Sequence, residues 1–144
     1  MKKPNLKNEI INNLHITFEH PYFLKPFGEH EVDYLAFEDA IFYNGESKSE
    51  PPILEQIVRK VAISSILKWY EHPSYSEKFI EQEKNDFKYD DGFTFLFDST
   101  CNWVIINEAC NDIMLLIGKN LIETTKELMP NWHSYTTDYF WFKK

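Results

Sequence analysis

Three glutamate–histidine pairs are the residues of this chain best suited to acid–base chemistry. They are Glu19–His20, Glu29–His30 and Glu71–His72. Histidine titrates near neutral pH, and a neighbouring carboxylate can tune it as a general base. On an extended backbone, however, adjacent side chains point to opposite faces, so the two members of a pair need not interact. A small hydrolase is therefore an alternative hypothesis, and it requires one of these histidines to meet an acid in a cleft.

The spacing of the other reactive side chains predicts neither a metal centre nor a cofactor site. His15 and His20 lie five residues apart, and Cys101 and Cys110 lie nine apart, so neither pair has the short spacing of zinc ligands. The chain has four glycines and lacks both a glycine-rich phosphate loop and the Gly-x-Ser-x-Gly turn of many hydrolases. We expect the cysteines to be small packing residues. These patterns predict a protein that is not an enzyme and holds no metal or cofactor.

The acidic side chains are concentrated in one segment. Of the net charge of −8, residues 29–56 carry eight acids against Lys48, a net of −7. Aromatic residues are interleaved with these acids, and rings beside carboxylates are typical of contact surfaces. The predicted partner-binding residues, which we call the acidic belt, are Glu29, Glu31, Asp33, Tyr34, Glu38, Asp39, Tyr43 and Glu46. The belt predicts a protein partner with a basic surface; the alternative is an ordinary solvated face.

The overall charge argues against two other classes of partner. Nucleic acids and anionic membranes need a basic face, whereas this chain has a single arginine, Arg59. No apolar run approaches the roughly 20 residues of a membrane-spanning helix, and no apolar signal segment follows Met1–Asn5. Two cysteines in 144 residues favour a reducing compartment over a disulfide scaffold. The sequence therefore predicts a cytoplasmic protein.

Hydrophobic periodicity predicts the elements that must position the acidic belt. Strands are predicted at 14–18, within 31–43, and at 93–97, 103–107, 112–117 and 135–142, and helices at 53–70, 75–85 and 119–129. The helix at 53–70 has the clearest apolar stripe, with Leu54, Ile57 and Val58 at helical spacing. The helix at 75–85 is very polar and is expected to face solvent. The stretch from Pro21 to Gly28 is expected to form turns.

The order of these elements predicts an α+β fold. The three strands between 93 and 117 have short connections, which indicates an antiparallel meander in the C-terminal half. Strands and helices do not alternate strictly, so we expect an antiparallel sheet packed against one long helix and one or two shorter helices. The absence of a repeat or linker predicts a single domain over residues 1–144.

The meander segment also resembles bacterial toxin-immunity proteins. Phe97–Asn107 and then Asp112–Lys119 place a tryptophan strand, a turn, a second strand and Gly-Lys before a helix. In this pattern, and in size and acidity, the chain is similar to the antidotes of contact-dependent growth inhibition and related polymorphic toxin systems. The resemblance implies a protein that binds a cognate toxin, often a nuclease, and occludes its basic active site. An orphan regulatory binding domain is the remaining alternative.

Overall fold

The architecture is taken from a computed structural model. It describes residues 13–14, 16–20, 23–26, 33–38, 53–63, 65–72, 75–88, 95–108 and 113–137, and all that follows concerns these residues. For residues 16–20, 23–26, 69–72, 75–79 and 108 it describes the backbone alone. The predicted strand region that continues to Tyr43 and most of the predicted final strand lie outside the described residues.

The described residues form eight strands and two α-helices. The strands are β1 Ile16–His20, β2 Phe23–Pro26, β3 Tyr34–Glu38, β4 Ser65–His72, β5 Tyr75–Glu83, β6 Phe95–Asp98, β7 Val104–Glu108 and β8 Ile113–Ile117. The helices are α1 Ile53–Val61 and α2 Lys119–Leu128. Short 3-10 turns cover Lys84–Asp86 and Trp132–Ser134. The α+β class is confirmed, as is α2. None of the described helices is long and apolar enough to cross a membrane.

Six of the strands form one antiparallel sheet. Their order is β3-β8-β7-β6-β4-β5, while β1 and β2 pair separately as a hairpin. The predicted meander is confirmed, because β6, β7 and β8 are consecutive both in the chain and in the sheet. At the outer edge of β3, Thr136 forms an isolated bridge with Phe37, and the Thr137 N–H donates to the Ala36 carbonyl at 2.8 Å. The start of the predicted final strand therefore lies against β3.

Both faces of the sheet are buried along β6, β7 and β8, which explains the apolar runs of these strands. On one face, Phe37, Ile105 and Leu116 pack in a cluster with Leu54 of α1 and Leu121 of α2. The opposite face has its own buried cluster, formed by Ala36, Leu67, Phe95, Phe97, Cys101, Val104, Ile106, Leu115 and Ile117. Because successive strand residues point to opposite faces, a strand buried on both sides is apolar at nearly every position. Cys101 is fully buried in this cluster, as expected of a packing residue.

The predicted helix over 53–70 is correct only in its first half. The chain leaves the helix after Val61, and β4 begins at Ser65. Ile66 packs with the helix-side cluster, whereas Leu67 packs with the opposite one. The apolar residues after Val61 continue the helical stripe of α1, but they also fit a short strand buried on both faces, and periodicity alone does not separate the two. The long helix is therefore replaced by a short helix and a central strand.

The predicted polar helix over 75–85 is wrong. Residues 75–83 form β5, which pairs along its length with β4, and only Lys84–Asp86 turns helically. Along the end of β5 the exposure alternates, because Ile80 and Gln82 are half-buried while Glu81 and Glu83 are exposed. The mixed charges were compatible with a solvated helix, and hydrogen bonding to β4 overrides that local preference. The prediction of turns from Pro21 to Gly28 is also wrong over Phe23–Pro26, which forms β2.

Candidate partner-binding site

Three of the eight acidic-belt residues lie in the described part of the chain. Asp33 directly precedes β3, Tyr34 begins the strand and Glu38 ends it. Asp33 and Glu38 are exposed, and Tyr34 is half-buried. The other members, which lie outside the described residues, are Glu29, Glu31, Asp39, Tyr43 and Glu46. The structure therefore assigns part of the belt to one strand.

The alternation of β3 separates these side chains. Leu35 and Phe37 pack with the helix-side cluster, while Ala36 and Tyr34 pack with the opposite cluster. Glu38 has the same parity as Ala36 and Tyr34, so it points to the opposite face as well. At about 3.4 Å per residue, Asp33 and Glu38 are roughly 17 Å apart along the strand. The belt residues of β3 thus belong to the two ends of one strand and to both sides of the sheet.

A groove between β3 and α2 begins at Asp33. It has a volume of about 460 Å³, within the range of ligand pockets. We call it the β3–α2 groove, and its lining residues are Asp33, Tyr34, Leu35, Lys119, Ile122, Glu123 and Lys126. Leu35 and Ile122 retain 8% and 9% exposure, whereas every other described core residue retains 3% or less. The groove is therefore one of the places where the described core approaches solvent.

The charges of the groove come from two elements that are distant in sequence. On α2, Lys119, Glu123 and Lys126 follow one another at helical spacing and share one side of the helix. The Lys126 ammonium lies over the Trp132 ring, 4.4 Å from its centroid. Lys119 lines the same groove as Asp33. In the sequence, the acids of residues 29–56 have Lys48 as their one basic neighbour. In the fold, a lysine of α2 lines the same groove as one of these acids.

Gly118 joins the two walls of the groove. Its N–H donates to the Asp33 carbonyl at 3.3 Å, and its own carbonyl accepts the first hydrogen bond of α2, from the Ile122 N–H at 3.0 Å. Its φ of +121° lies in the region that favours glycine, and a Cβ there would stand 2.6 Å from the Asn102 carbonyl oxygen. No other residue fits this position without a shift of the backbone. Gly118 therefore fixes where β3 and α2 meet.

A smaller recess lies on the other side of Asp33. Its volume is about 280 Å³, and Asn13, Leu14 and Asn102 line it together with Gly118 and Lys119. The Asn13 side-chain amide donates to the Cys101 carbonyl at 3.3 Å, which attaches this part of the N-terminal region to the β6–β7 turn. Asp33 is thus accessible from both recesses, and the sequence contained no local signal for this arrangement.

Arg59, the single arginine of the chain, forms a hydrogen bond within the protein. The Arg59 guanidinium donates to the Phe87 carbonyl at 3.0 Å. Lys68, which is buried, donates to the Lys88 carbonyl at 2.9 Å and lies 4.9 Å from the centre of the Phe87 ring. These cations hold the segment after β5 against α1 and the sheet. Both cations are therefore engaged in contacts within the described part of the chain.

The structure describes no site around the histidines of the three glutamate–histidine pairs. The backbones of His20 and His72 are described without their side chains, and His30 lies outside the described residues. His133 is exposed and meets the edge of the Trp132 ring, with the centroids 5.5 Å apart. Among the side chains that are described, no three histidine, cysteine or carboxylate groups cluster as metal ligands do. The hydrolase alternative remains a hypothesis.

No protein family, curated protein or solved structure matches the chain. The candidate site therefore rests on the geometry of the chain's own residues.

Proposed function

We propose that the chain is an immunity-type binding protein that neutralises a cognate toxin, such as a nuclease, by covering its basic active site in the cytoplasm. The observation that carries the proposal is the placement of two exposed carboxylates, Asp33 and Glu38, at the ends of one strand that begins with the half-buried ring of Tyr34. A ring supplies contact area, and nearby carboxylates steer and orient a basic partner. Resemblance to immunity proteins supports the same class of partner.

The dimensions of β3 suit a single interface. A stable protein–protein interface covers about 800 Å² on each partner, which corresponds to a patch roughly 30 Å across. The span of roughly 17 Å between Asp33 and Glu38 fits within such a patch. Because the two side chains leave opposite faces of the sheet, a partner that contacts both must reach around this side of the sheet. Inhibition by this route needs no chemistry from the chain, because a toxin whose cationic cleft is covered cannot reach its substrate.

Reversing both charges of β3 tests the proposal. In the variant Asp33→Lys/Glu38→Lys, attraction to a basic partner becomes repulsion at two points, so we expect the Kd to rise about 100-fold, mainly through slower association. Binding is measured by surface plasmon resonance against the protein encoded by the neighbouring open reading frame, at low and moderate salt. The wild-type affinity is expected to fall as salt rises, because screening weakens such steering.

A control with the same change of net charge is available on β5. Glu81 and Glu83 are exposed on the last strand of the described sheet order, five strand positions from β3, or roughly 24 Å away. The variant Glu81→Lys/Glu83→Lys is expected to leave the Kd within about threefold of wild type, since distant charges are largely screened. Equal losses in both variants, or no loss in the β3 variant, would show that β3 is not the contact surface.

A further inference from the structure

We infer that the outer edge of β5 binds an extended basic segment of a partner protein as an additional antiparallel strand. In the six-stranded sheet, β5 is the terminal strand opposite β3, and no described residue pairs with its outer side. The β3 edge differs, because residues 136–137 bridge to it. With nine residues, β5 is also the longest described strand. Such an edge presents a row of backbone N–H and C=O groups with which an added strand can pair.

The two faces of β5 differ in chemistry, and the pairing with β4 fixes which residue belongs to which face. Glu81 stands opposite Leu67, which packs in the cluster away from the helices, so Glu81 and Glu83 lie on that face. Both glutamates are exposed. Ile80 and Gln82 alternate with them on the helix side and are half-buried. An added strand therefore meets a carboxylate at every second position of one face.

The same charges disfavour a second copy of the chain as the occupant. Two β5 strands related by a two-fold axis pair antiparallel, and directly opposite residues share a face. In every such register that overlaps by at least five residues, positions of like charge stand opposite each other. These are two glutamates or, in one register, two copies of Lys78. Because opposed like charges destabilise a strand pair, the edge rejects its own copy.

A strand with Lys or Arg at every second position reverses the sign of this contact. Each of its cations then lies beside a carboxylate of β5, and cross-strand pairs of opposite charge stabilise a sheet. The backbone hydrogen bonds supply the affinity for any extended segment, whereas the charge pattern supplies the selection. This surface is five strand positions from β3, so the inference goes beyond the proposed function and does not depend on it.

The edge can be probed with short peptides, without knowledge of the partner. The full-length ¹⁵N-labelled chain is titrated with acetyl-Thr-Lys-Val-Lys-Thr-Lys-Val-amide, the alternating probe, and followed by ¹H–¹⁵N correlation spectra. We expect roughly millimolar binding, as is usual for a short flexible ligand, with shifts concentrated at the amides of residues 75–83. Hydrogen exchange is expected to slow at alternate amides of β5, because alternate residues of an antiparallel pair donate to the partner strand.

Two changes to the peptide separate strand addition from simple attraction between charges. Acetyl-Thr-Val-Lys-Lys-Lys-Val-Thr-amide has the same composition, but its lysines cannot all lie on one face of a strand, so we expect it to bind at least about fivefold more weakly. N-methylation of the alternating probe either at its lysines or at the residues between them blocks one edge or the other. One of these two patterns is expected to abolish binding, because the N–H groups of a single edge face β5.

Variants of the chain connect the binding to the two glutamates. Glu81→Gln/Glu83→Gln keeps the size of both side chains and is expected to weaken the alternating probe about three- to tenfold. Asp33→Asn/Glu38→Gln is the matched control, since it removes the same charge from two exposed carboxylates of β3. It is expected to leave the affinity within about twofold of wild type, because distant charges are screened. The same spectra show that each variant is folded.

The results that would overturn the inference are specific. They are a missing response to the alternating probe, equal binding of the peptide with contiguous lysines, binding that survives both N-methylation patterns, and unchanged affinity in Glu81→Gln/Glu83→Gln. Shifts of the β5 amides that depend on protein concentration without peptide would make a second copy the occupant, and would also overturn it. The toxin measurement on the β3 variant does not involve β5, so either proposal can fail while the other stands.

Discussion

Replacement of Gly118 by alanine is expected to lower the free energy of unfolding by about 4 kcal/mol, from two sources. The backbone at this position has a φ of +121°, which alanine adopts only with strain. The added methyl group would also meet backbone atoms, 2.6 Å from the Asn102 carbonyl oxygen and 2.9 Å from the Trp103 Cα. Backbone atoms in a buried turn cannot move aside as the end of a flexible side chain can, so strain and overpacking add.

Urea unfolding followed by circular dichroism measures this loss. The midpoint is expected to fall while the slope with denaturant stays constant, which would show that stability has changed and the unfolded state has not. Asn120→Ala is the matched control, since Asn120 is an exposed residue in the first turn of the same helix. Alanine favours helix, so this control is expected to be neutral or slightly stabilising. A loss below about 1 kcal/mol in Gly118→Ala would contradict the close packing of this turn.

Gly118→Ala also tests whether the groove depends on this turn. The Gly118 N–H holds the Asp33 carbonyl, so a displaced Gly118 moves the start of β3 relative to α2. At a temperature where the variant is still folded, we expect its ¹H–¹⁵N chemical shifts to differ from wild type most at the amides of residues 33–35 and 119–122. Asn120→Ala changes neither the turn nor the groove lining, and is expected to keep the wild-type shifts at residues 33–35.

Local sequence patterns were sufficient for the segment from β6 to α2. In β7, β8 and α2, each element is bounded by a turn residue or a change of periodicity, and Gly118 separates the last strand from the last helix. The region from 53 to 83 has no such boundary between Val61 and Ser65. Its spacing of apolar residues and its mixed charges are compatible with helix and with strand, and the pairing of β4 with its neighbour β5 and with the more distant β6 decides between them.

Only part of the candidate site could be predicted from the sequence, because a strand pairing between distant segments places the rest. The exposure of Asp33 and Glu38 follows from residue type alone, because unpaired carboxylates rarely lie inside a protein. The contribution of α2 follows from a register that the sequence does not reveal. The pairing of Tyr34 with Ile117 puts Asp33 opposite Gly118, and hence beside the first turn of α2. A non-local strand pairing therefore creates the groove.

The same kind of long-range contact ends α1, through the buried carboxylate of Asp98. Asp98 is 1% exposed and lies at the end of β6. Its carboxylate accepts the Ile63 N–H at 3.3 Å, immediately after the helix, and the Thr100 N–H at 3.0 Å in the next turn. The Thr100 hydroxyl donates to the same carboxylate. One carboxylate oxygen, Oδ2, thus accepts a backbone N–H where the chain has left α1, and the other, Oδ1, holds the turn after β6.

Asp98→Ala is expected to lower the free energy of unfolding by about 3–4 kcal/mol, because it leaves three donors without this acceptor. Asp98→Asn keeps one acceptor oxygen and is expected to lose about half as much. Ser99→Ala, an exposed change in the same turn, is expected to stay within about 0.5 kcal/mol of wild type. Urea denaturation measures all three, and native-state hydrogen exchange at Ile63 should rise most in Asp98→Ala. If Asp98→Ala were as stable as Ser99→Ala, packing alone would end α1 and the carboxylate would be dispensable.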